Sequence, residues 1–387
     1  MRRRLPASAP RALIAAGAFL ASWGLIQHGF YAHHVLTDIP TYSTYGDRIR
    51  AGLVPYRDFS VEYPPGALPT FVAPTFFADY DVAFRWLMAA CGVAMVFVVA
   101  GATRSRAALG FVAASPLLVG SMELSRFDLW PALLLAAAVA ALAGRRDTLG
   151  LALLGVAIAV KAFPIVVVPV ALMWVYRRRG WKATVWGGVT VAGVVAVVVL
   201  PFFVLSPSGL WQSVAGQSSR PLQIETLPAA VAMWLGDPAV ANTHGSFNLV
   251  HFDTVAALLT ALEAAALMGV WFGISRGPID RARFLTGAAA SVAIFVALGK
   301  VLSPQYLIWL VPLVALLSGR RAVAACTLLA IALGLTLVFF PGRYFDYVER
   351  GSLAWVVVLR DLVLAALALV LVRGSIRRSR DGTARSS

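Results

Sequence analysis

Runs of apolar residues long enough to cross a lipid bilayer recur about twelve times along this chain, and they dominate every other signal in it. A crossing helix satisfies its own backbone hydrogen bonds, which is why such runs constrain a fold so tightly. Spans are predicted near residues 12–32, 82–101, 107–123, 127–143, 148–160, 163–176, 183–205, 253–274, 284–299, 303–319, 322–341 and 353–373. Composition agrees: 60% of residues are hydrophobic, 13% are charged and mean hydropathy is +0.79, well outside the soluble globular range. The expected fold class is all-α, a polytopic transmembrane helical bundle. Cys91 and Cys326 both fall in apolar runs, so no disulfide framework is indicated.

The net charge of +15 could suggest nucleic acid, but its distribution argues otherwise. Basic residues stand in short clusters between apolar runs: Arg2 to Arg4, Arg104 with Arg106, Arg145 with Arg146, and Arg177 to Arg179 with Lys182. Further clusters are Arg276 with Arg281 and Arg283, Arg320 with Arg321, and residues 373–380. That is the pattern of topology signals rather than of a phosphate-binding face. If every cluster is cytoplasmic, both termini are inside and an even number of spans separates each pair. For this reason 148–176 is read as two short helices meeting near Lys161 and Pro164 rather than as one. Segment 66–78 is too short to cross and carries Pro69 and Pro74, so it is read as a re-entrant or interfacial piece. The N-terminus resembles a signal peptide but lacks a convincing cleavage site before Tyr31, and is read as a retained first helix.

The chain is therefore expected to form one integral membrane domain over 1–373, with a basic cytoplasmic tail at 374–387. Two large outer loops, 33–66 and 206–251, interrupt the spans, and the first carries short amphipathic or re-entrant helices. Loop 33–66 holds Asp38, Asp47, Asp58 and Glu62 in a chain with only 18 acidic residues. The other polar stretches on the same side are ELSRFD (Glu123 to Asp128), Lys161, SSRPLQIE (Ser218 to Glu225) and KVLSPQY (Lys300 to Tyr306). Only three of the 33 basic residues are lysines, and Lys161 and Lys300 stand at outer helix ends against the positive-inside trend. Ionisable groups at membrane depth are costly and usually face a cavity. Cations there, opposite carboxylates, would suit a substrate carrying phosphate near the bilayer surface.

Each of these residues also has a plainer reading. Asp38 could merely cap the helix that follows it. Asp47 with Arg48 and Arg50 looks like a solvated helix face over Tyr45 to Ala51. Pro64 and Pro65 first of all set chain direction. Arg126 and Asp128 could pair with one another at a helix start, and Arg360 with Asp361 reads as a structural pair. His33, His34, His244 and His251 lack ligand-like spacing, so no metal site is expected. No Gly-rich phosphate cradle, P-loop, CxxC or G-x-S-x-G elbow is present to suggest nucleotide, zinc or hydrolase chemistry.

Several motifs, in order, carry a resemblance. They are Asp38-x-x-x-Tyr42, the Gly52, Pro55 and Tyr56 of G-x-x-P-Y, E-Y-P-P from Glu62 to Pro65, and R-F-D from Arg126 to Asp128. K-x-x-P (Lys161, Pro164), R-P-L-Q-I-E (Arg220 to Glu225) and S-P-Q-Y-L-I-W (Ser303 to Trp309) continue the series. Together they resemble glycosyltransferase family 87, which contains the actinobacterial polyprenyl-phosphomannose-dependent mannosyltransferases of GT-C fold. The resemblance implies an inverting transfer of a sugar, with mannose the family default, from a polyprenyl monophosphate to an acceptor hydroxyl on the outer side of the plasma membrane. Asp38 matches the family's position for the general base. Lys161, Arg126 and Lys300 are the candidates for the donor phosphate. Tyr42, Asp58, Glu62, Tyr63, Asp128, Gln223, Gln305 and Tyr306 are the candidates for the substrate pocket, with Asp58 the rival base. No cofactor or metal is expected, because a phosphate leaves as an anion and needs cations rather than a proton. The expected partners are a polyprenyl-phosphate sugar, a glycolipid or glycan acceptor and membrane lipids, with no nucleic acid. The competing class is a secondary transporter or a lipid or polysaccharide flippase, since about twelve spans also describe those proteins.

Overall fold

A computed structural model of the chain describes residues 9–30 and 36–376. Arg2 to Arg4, His33, His34 and the tail beyond Ile376 lie outside the described residues. Among the described residues seven helices are long and apolar enough to cross a membrane: Ala9–Gly29, Tyr80–Ala102, Phe163–Leu205, Asp253–Ser275, Arg281–Leu298, Gly319–Phe339 and Ala354–Ile376. Four shorter apolar helices, Arg106–Val119, Leu129–Ala143, Asp147–Val160 and Pro304–Ala315, pack among them. The helix Val168–Leu205 breaks at Gly180, whose φ of 77° is a left-handed conformation that glycine adopts without strain. With that break, twelve apolar helical segments stand where twelve spans are predicted. The all-helical, multi-pass reading is borne out, and among the described residues the only strands form one small hairpin, Val240–Thr243 with Ser246–Leu249.

The two short helices expected over 148–176 are present as Asp147–Val160 and a one-turn 3₁₀ piece, Phe163–Val167, that leads into the long helix. Lys161 sits in extended backbone at the junction. Pro164 stands in the first turn of the 3₁₀ piece, where its missing N–H leaves no hydrogen bond unmade, so it starts the new helical segment rather than extending the old one. Segment 66–78 does not cross; it folds as three short helical pieces, Pro65–Ala67, Leu68–Val72 and Ala73–Phe76. Gly66 packs against the end of helix Asp147–Val160, where a Cβ would stand 2.6 Å from the Ala159 carbonyl oxygen. This close approach brings the Glu62–Pro65 motif beside Lys161.

The basic clusters meet at one end of the bundle. Arg281 donates to the Ala102 carbonyl at 2.7 Å, Arg11 to that of Arg104 at 3.2 Å, and Arg177 to that of Ser275. Arg178 pairs with Asp147 at 3.0 Å, and Arg283 binds the Ser375 carbonyl at 2.7 Å. The acidic loop and the segment 206–251 meet at the other. There Ser213 donates to the Val61 carbonyl at 2.7 Å, Ser206 to that of Tyr56 at 3.0 Å, and Lys300 to that of Ser218 at 2.8 Å. The second loop is itself ordered into helices Pro207–Ser218 and Leu227–Leu235 and the hairpin. Exposed large side chains such as Val197, Phe203, Leu258 and Leu262 cover the long helices, as expected for surfaces whose solvent is lipid.

Candidate active site

Asp38 occupies the cap position of helix Ile39–Arg50, yet its side chain does not cap it. The Ile39 N–H goes to Thr37 Oγ1 at 3.0 Å instead. The Asp38 carboxylate forms an ion pair with Arg126 and accepts from the Tyr42 hydroxyl at 3.4 Å. It is the least buried member of its group, with 35% of its side chain accessible. The plain capping role therefore fails for a local reason: a threonine one residue earlier performs it.

Arg126 and Asp128 do not pair with each other either. They straddle Phe127 at the start of helix Leu129–Ala143, and the short segment Met122–Ser125 before them is completely buried. Asp128 Oδ1 accepts from Lys161 Nζ at 2.6 Å and from the Trp309 indole at 2.7 Å. The Lys161 ammonium is ringed by aromatic faces, with its nitrogen 4.8 Å from the centroid of Phe127, 5.1 Å from Trp309, 5.5 Å from Tyr306 and 5.8 Å from Tyr63. Trp309 is clamped in turn between Phe163, centroids 3.7 Å apart, and Tyr306, at 4.2 Å. Ring quadrupoles hold a cation in place without neutralising it. Tyr42 is buried beneath this group, stacked on Phe71 at 4.6 Å.

A cavity of about 650 Å³ opens over these residues. Its wall includes Asp38, Glu62, Tyr63, Arg126, Lys161, Gln223, Lys300, Gln305 and Tyr306 from the sequence-based set. Tyr42 and Asp128 lie behind the wall as supports. Asp58 is a correction: it is absent from the wall, because its carboxylate is taken up by Arg57 at 2.9 Å and by the Val54 N–H at 2.7 Å in an exposed turn. Arg57 holds that carboxyl below its usual range. Lys300 is a second departure. It lines the cavity, but among the described contacts it shares no hydrogen bond or ion pair with Asp38, Arg126, Asp128 or Lys161.

Several wall residues escape the sequence-based set. Arg220 reaches Ser246 of the hairpin at 2.9 Å and Gln217 at 3.3 Å. Burial pushes the Glu62 carboxyl up, while Arg220 across the cavity mouth draws it down. Glu225 is buried and accepts from the Tyr344 hydroxyl at 2.6 Å, and its carbonyl accepts from Arg360 at 2.7 Å. Arg360 is paired with Asp361 at 2.6 Å, so this intramembrane pair props the Arg220–Glu225 segment from beneath. Arg220 and Glu225 bracket the R-P-L-Q-I-E motif, and charge at its two ends was the available signal. Glu263 also lines the cavity; its signal was a lone carboxylate in the middle of an apolar span. Glu123, next to the site, is wholly buried against Ser115 at 3.3 Å, and burial pushes its carboxyl up to about 8. Among the described residues no group of three or more His, Cys, Asp or Glu side chains is placed to hold a metal.

These residues form a polar, ionic chamber at one end of a membrane-spanning helical bundle. The sequence profile of glycosyltransferase family 87 matches residues 61–304, and the chain belongs to that family. It is accordingly a multi-pass membrane glycosyltransferase, which settles the choice against a transporter. The match takes in Glu62, Arg126, Asp128, Lys161, Arg220, Gln223 and Lys300. Asp38, Tyr306 and Trp309 lie beyond it and reach those residues only through the fold. The crystal structure of ArnT from Cupriavidus metallidurans bound to undecaprenyl phosphate is similar over 94% of this chain and 76% of that one, at 15% identity and a TM-score of 0.48. No curated protein matches the chain.

Proposed function

We propose that this glycosyltransferase moves a sugar from a polyprenyl monophosphate to an acceptor hydroxyl on the outer side of the plasma membrane, with inversion and with Asp38 as general base. The observation that carries this reading is the meeting of Asp38, Arg126 and Lys161 at one wall of the cavity, with Asp128 behind them on Lys161. Two cations beside a partly open carboxylate suit an anionic leaving group on one side and a hydroxyl to be deprotonated on the other. Arg126 offers a fork of donors that a phosphate can take over from Asp38, and that exchange would leave the carboxylate to the acceptor. Lys161, held by Asp128 and its aromatic ring, would stabilise the phosphate as the glycosidic bond breaks.

A second feature supports a lipid-borne donor. An apolar crevice lined by Ile158, Ile165, Val168, Val191, Val195 and Phe203, among others, runs between helix Asp147–Val160 and the second half of the long helix. Val199 lines both this crevice and the reaction cavity, so an isoprenoid chain lying in the crevice would deliver its phosphate beside Lys161. Mannose as the sugar, a glycolipid or glycan as acceptor, the absence of a metal requirement and cytoplasmic termini belong to the same reading. The test is transfer of label from radiolabelled decaprenyl-phosphomannose to a membrane-lipid extract by the purified protein, wild type beside Asp38→Asn. Labelled product with wild type alone supports the reading; equal product from both variants removes Asp38 as the base, and no product removes mannose as the sugar.

A further inference from the structure

Glu263 stands in the middle of the helix Asp253–Ser275, the eleventh of its 23 residues. Most of that helix faces lipid: Leu258, Leu262 and Met268 are exposed. Yet Thr260 and Glu263 turn the other way and line the reaction cavity. Among the described residues the Glu263 carboxylate makes no hydrogen bond or ion pair. The charge that acts on it is Lys300, and its side chain lies against the Gly299 backbone. A carboxylate at this depth with no hydrogen-bond or ion-pair partner is costly, and such groups usually face a cavity and mark a site.

The cavity thus has two poles. At one, Arg126 and Lys161 stand with Asp38 and Asp128. At the other, Glu263 lies against the Gly299 backbone beside Lys300, without an ionic link to the first. A reaction that joins two substrates needs two places to hold them. The first pole has the cations for a phosphate. The second has a carboxylate to accept from hydroxyls and an ammonium to donate to them.

We propose that Glu263 and Lys300 form the acceptor subsite, and that they bind the hydroxyls of an uncharged sugar headgroup carried on a membrane-embedded aliphatic chain. The inference rests on the two-substrate transfer proposed above. The aliphatic chain follows from the place of Glu263, in the middle of a helix that exposes Leu258, Leu262 and Met268 to lipid.

The experiment uses the full-length protein in nanodiscs and dicyclohexylcarbodiimide, an apolar reagent for carboxyl groups in membranes, with modification of Glu263 read by mass spectrometry. Octyl α-D-mannopyranoside and octyl β-D-glucopyranoside serve as acceptor probes, and decaprenyl phosphate as the donor-side probe. Glu263 is expected to be modified, and at least one octyl glycoside is expected to protect it fivefold or more while decaprenyl phosphate does not. An unmodified Glu263, no protection by either glycoside, or equal protection by decaprenyl phosphate overturns the proposal. In parallel, Glu263→Gln is expected to raise the KM for the octyl glycoside at least tenfold and to leave decaprenyl phosphate affinity within twofold. A proportional loss of both would mean a structural role. Where Glu263→Gln does not fold, Lys300→Met carries the same KM expectation. Failure of wild type to bind decaprenyl phosphate would overturn the donor reading instead, and the protection result would still judge the acceptor subsite.

Discussion

Asp38 and Arg126 form an ion pair that joins the first loop to the start of the helix Leu129–Ala143. The pair explains why the loop helix Ile39–Arg50 is docked over the cavity rather than free above it. In the proposed mechanism it keeps the carboxylate occupied until the donor phosphate competes for the guanidinium. The two carboxylates most easily confused in the sequence, Asp38 and Asp58, are separated by this contact.

Asp38→Asn is expected to lower the rate of transfer by about 10²–10⁴-fold, the span typical of removing a general base. Asp58→Asn should retain activity within twofold, since its side chain serves an exposed turn. Initial rates with radiolabelled donor measure both, and a larger loss in the Asp58 variant would reverse the assignment.

Lys161→Ala is expected to weaken binding of decaprenyl phosphate by about 1.5–3 kcal/mol, or about ten- to a hundredfold. Asp128→Asn should weaken it less, because the aromatic ring still surrounds the ammonium. Titration calorimetry in detergent gives both constants; an unchanged affinity in the Lys161 variant would place the phosphate elsewhere.

Gly66→Val is expected to destabilise the protein by about 1–3 kcal/mol, because the backbone of the Pro65–Ala67 turn lies against Ala159 and overpacking there has no flexible neighbour to absorb it. A lower midpoint of thermal unfolding, together with weaker donor binding through displacement of Tyr63 and Lys161, is the predicted pair of readouts.

Glu123 gives a pH dependence with a defined sign. Its carboxyl stays protonated in the folded protein up to about 8, whereas an unfolded chain ionises near the ordinary glutamate value. Between those values the folded state holds the extra proton, so its contribution to stability is complete at low pH and is lost as pH rises through about 8. Wild type should therefore lose more thermal stability between pH 5 and pH 9 than Glu123→Gln. Parallel curves would mean that Glu123 does not titrate in this window.

Much of the architecture was legible because lipid-facing helices announce themselves by length and by the basic clusters at their ends. The short pair around Lys161 followed from charge parity, a topological constraint that needs no three-dimensional contact. The partners in the site were less legible. Arg126 with Asp128 looked like a local pair, but Phe127 between them sends the two side chains to different partners, Asp38 and Lys161, that come from distant parts of the chain. Trp309 was visible only as part of a motif, and its indole contact with Asp128 depends on how two helices are packed. Glu263 was hidden in an apolar run, where hydropathy averaging submerges a single charge.

A site built from Asp38, Arg126, Asp128 and Lys161 holds two positive and two negative groups, so it is electroneutral before anything binds. A phosphodiester donor adds one negative charge that the cations can share. In the proposed transfer the sugar's departure leaves a phosphate monoester of greater charge beside Arg126 and Lys161, while the acceptor's proton passes to Asp38. On that proposal the spent carrier leaves once Asp38 gives up the proton and its carboxylate competes again for the Arg126 guanidinium.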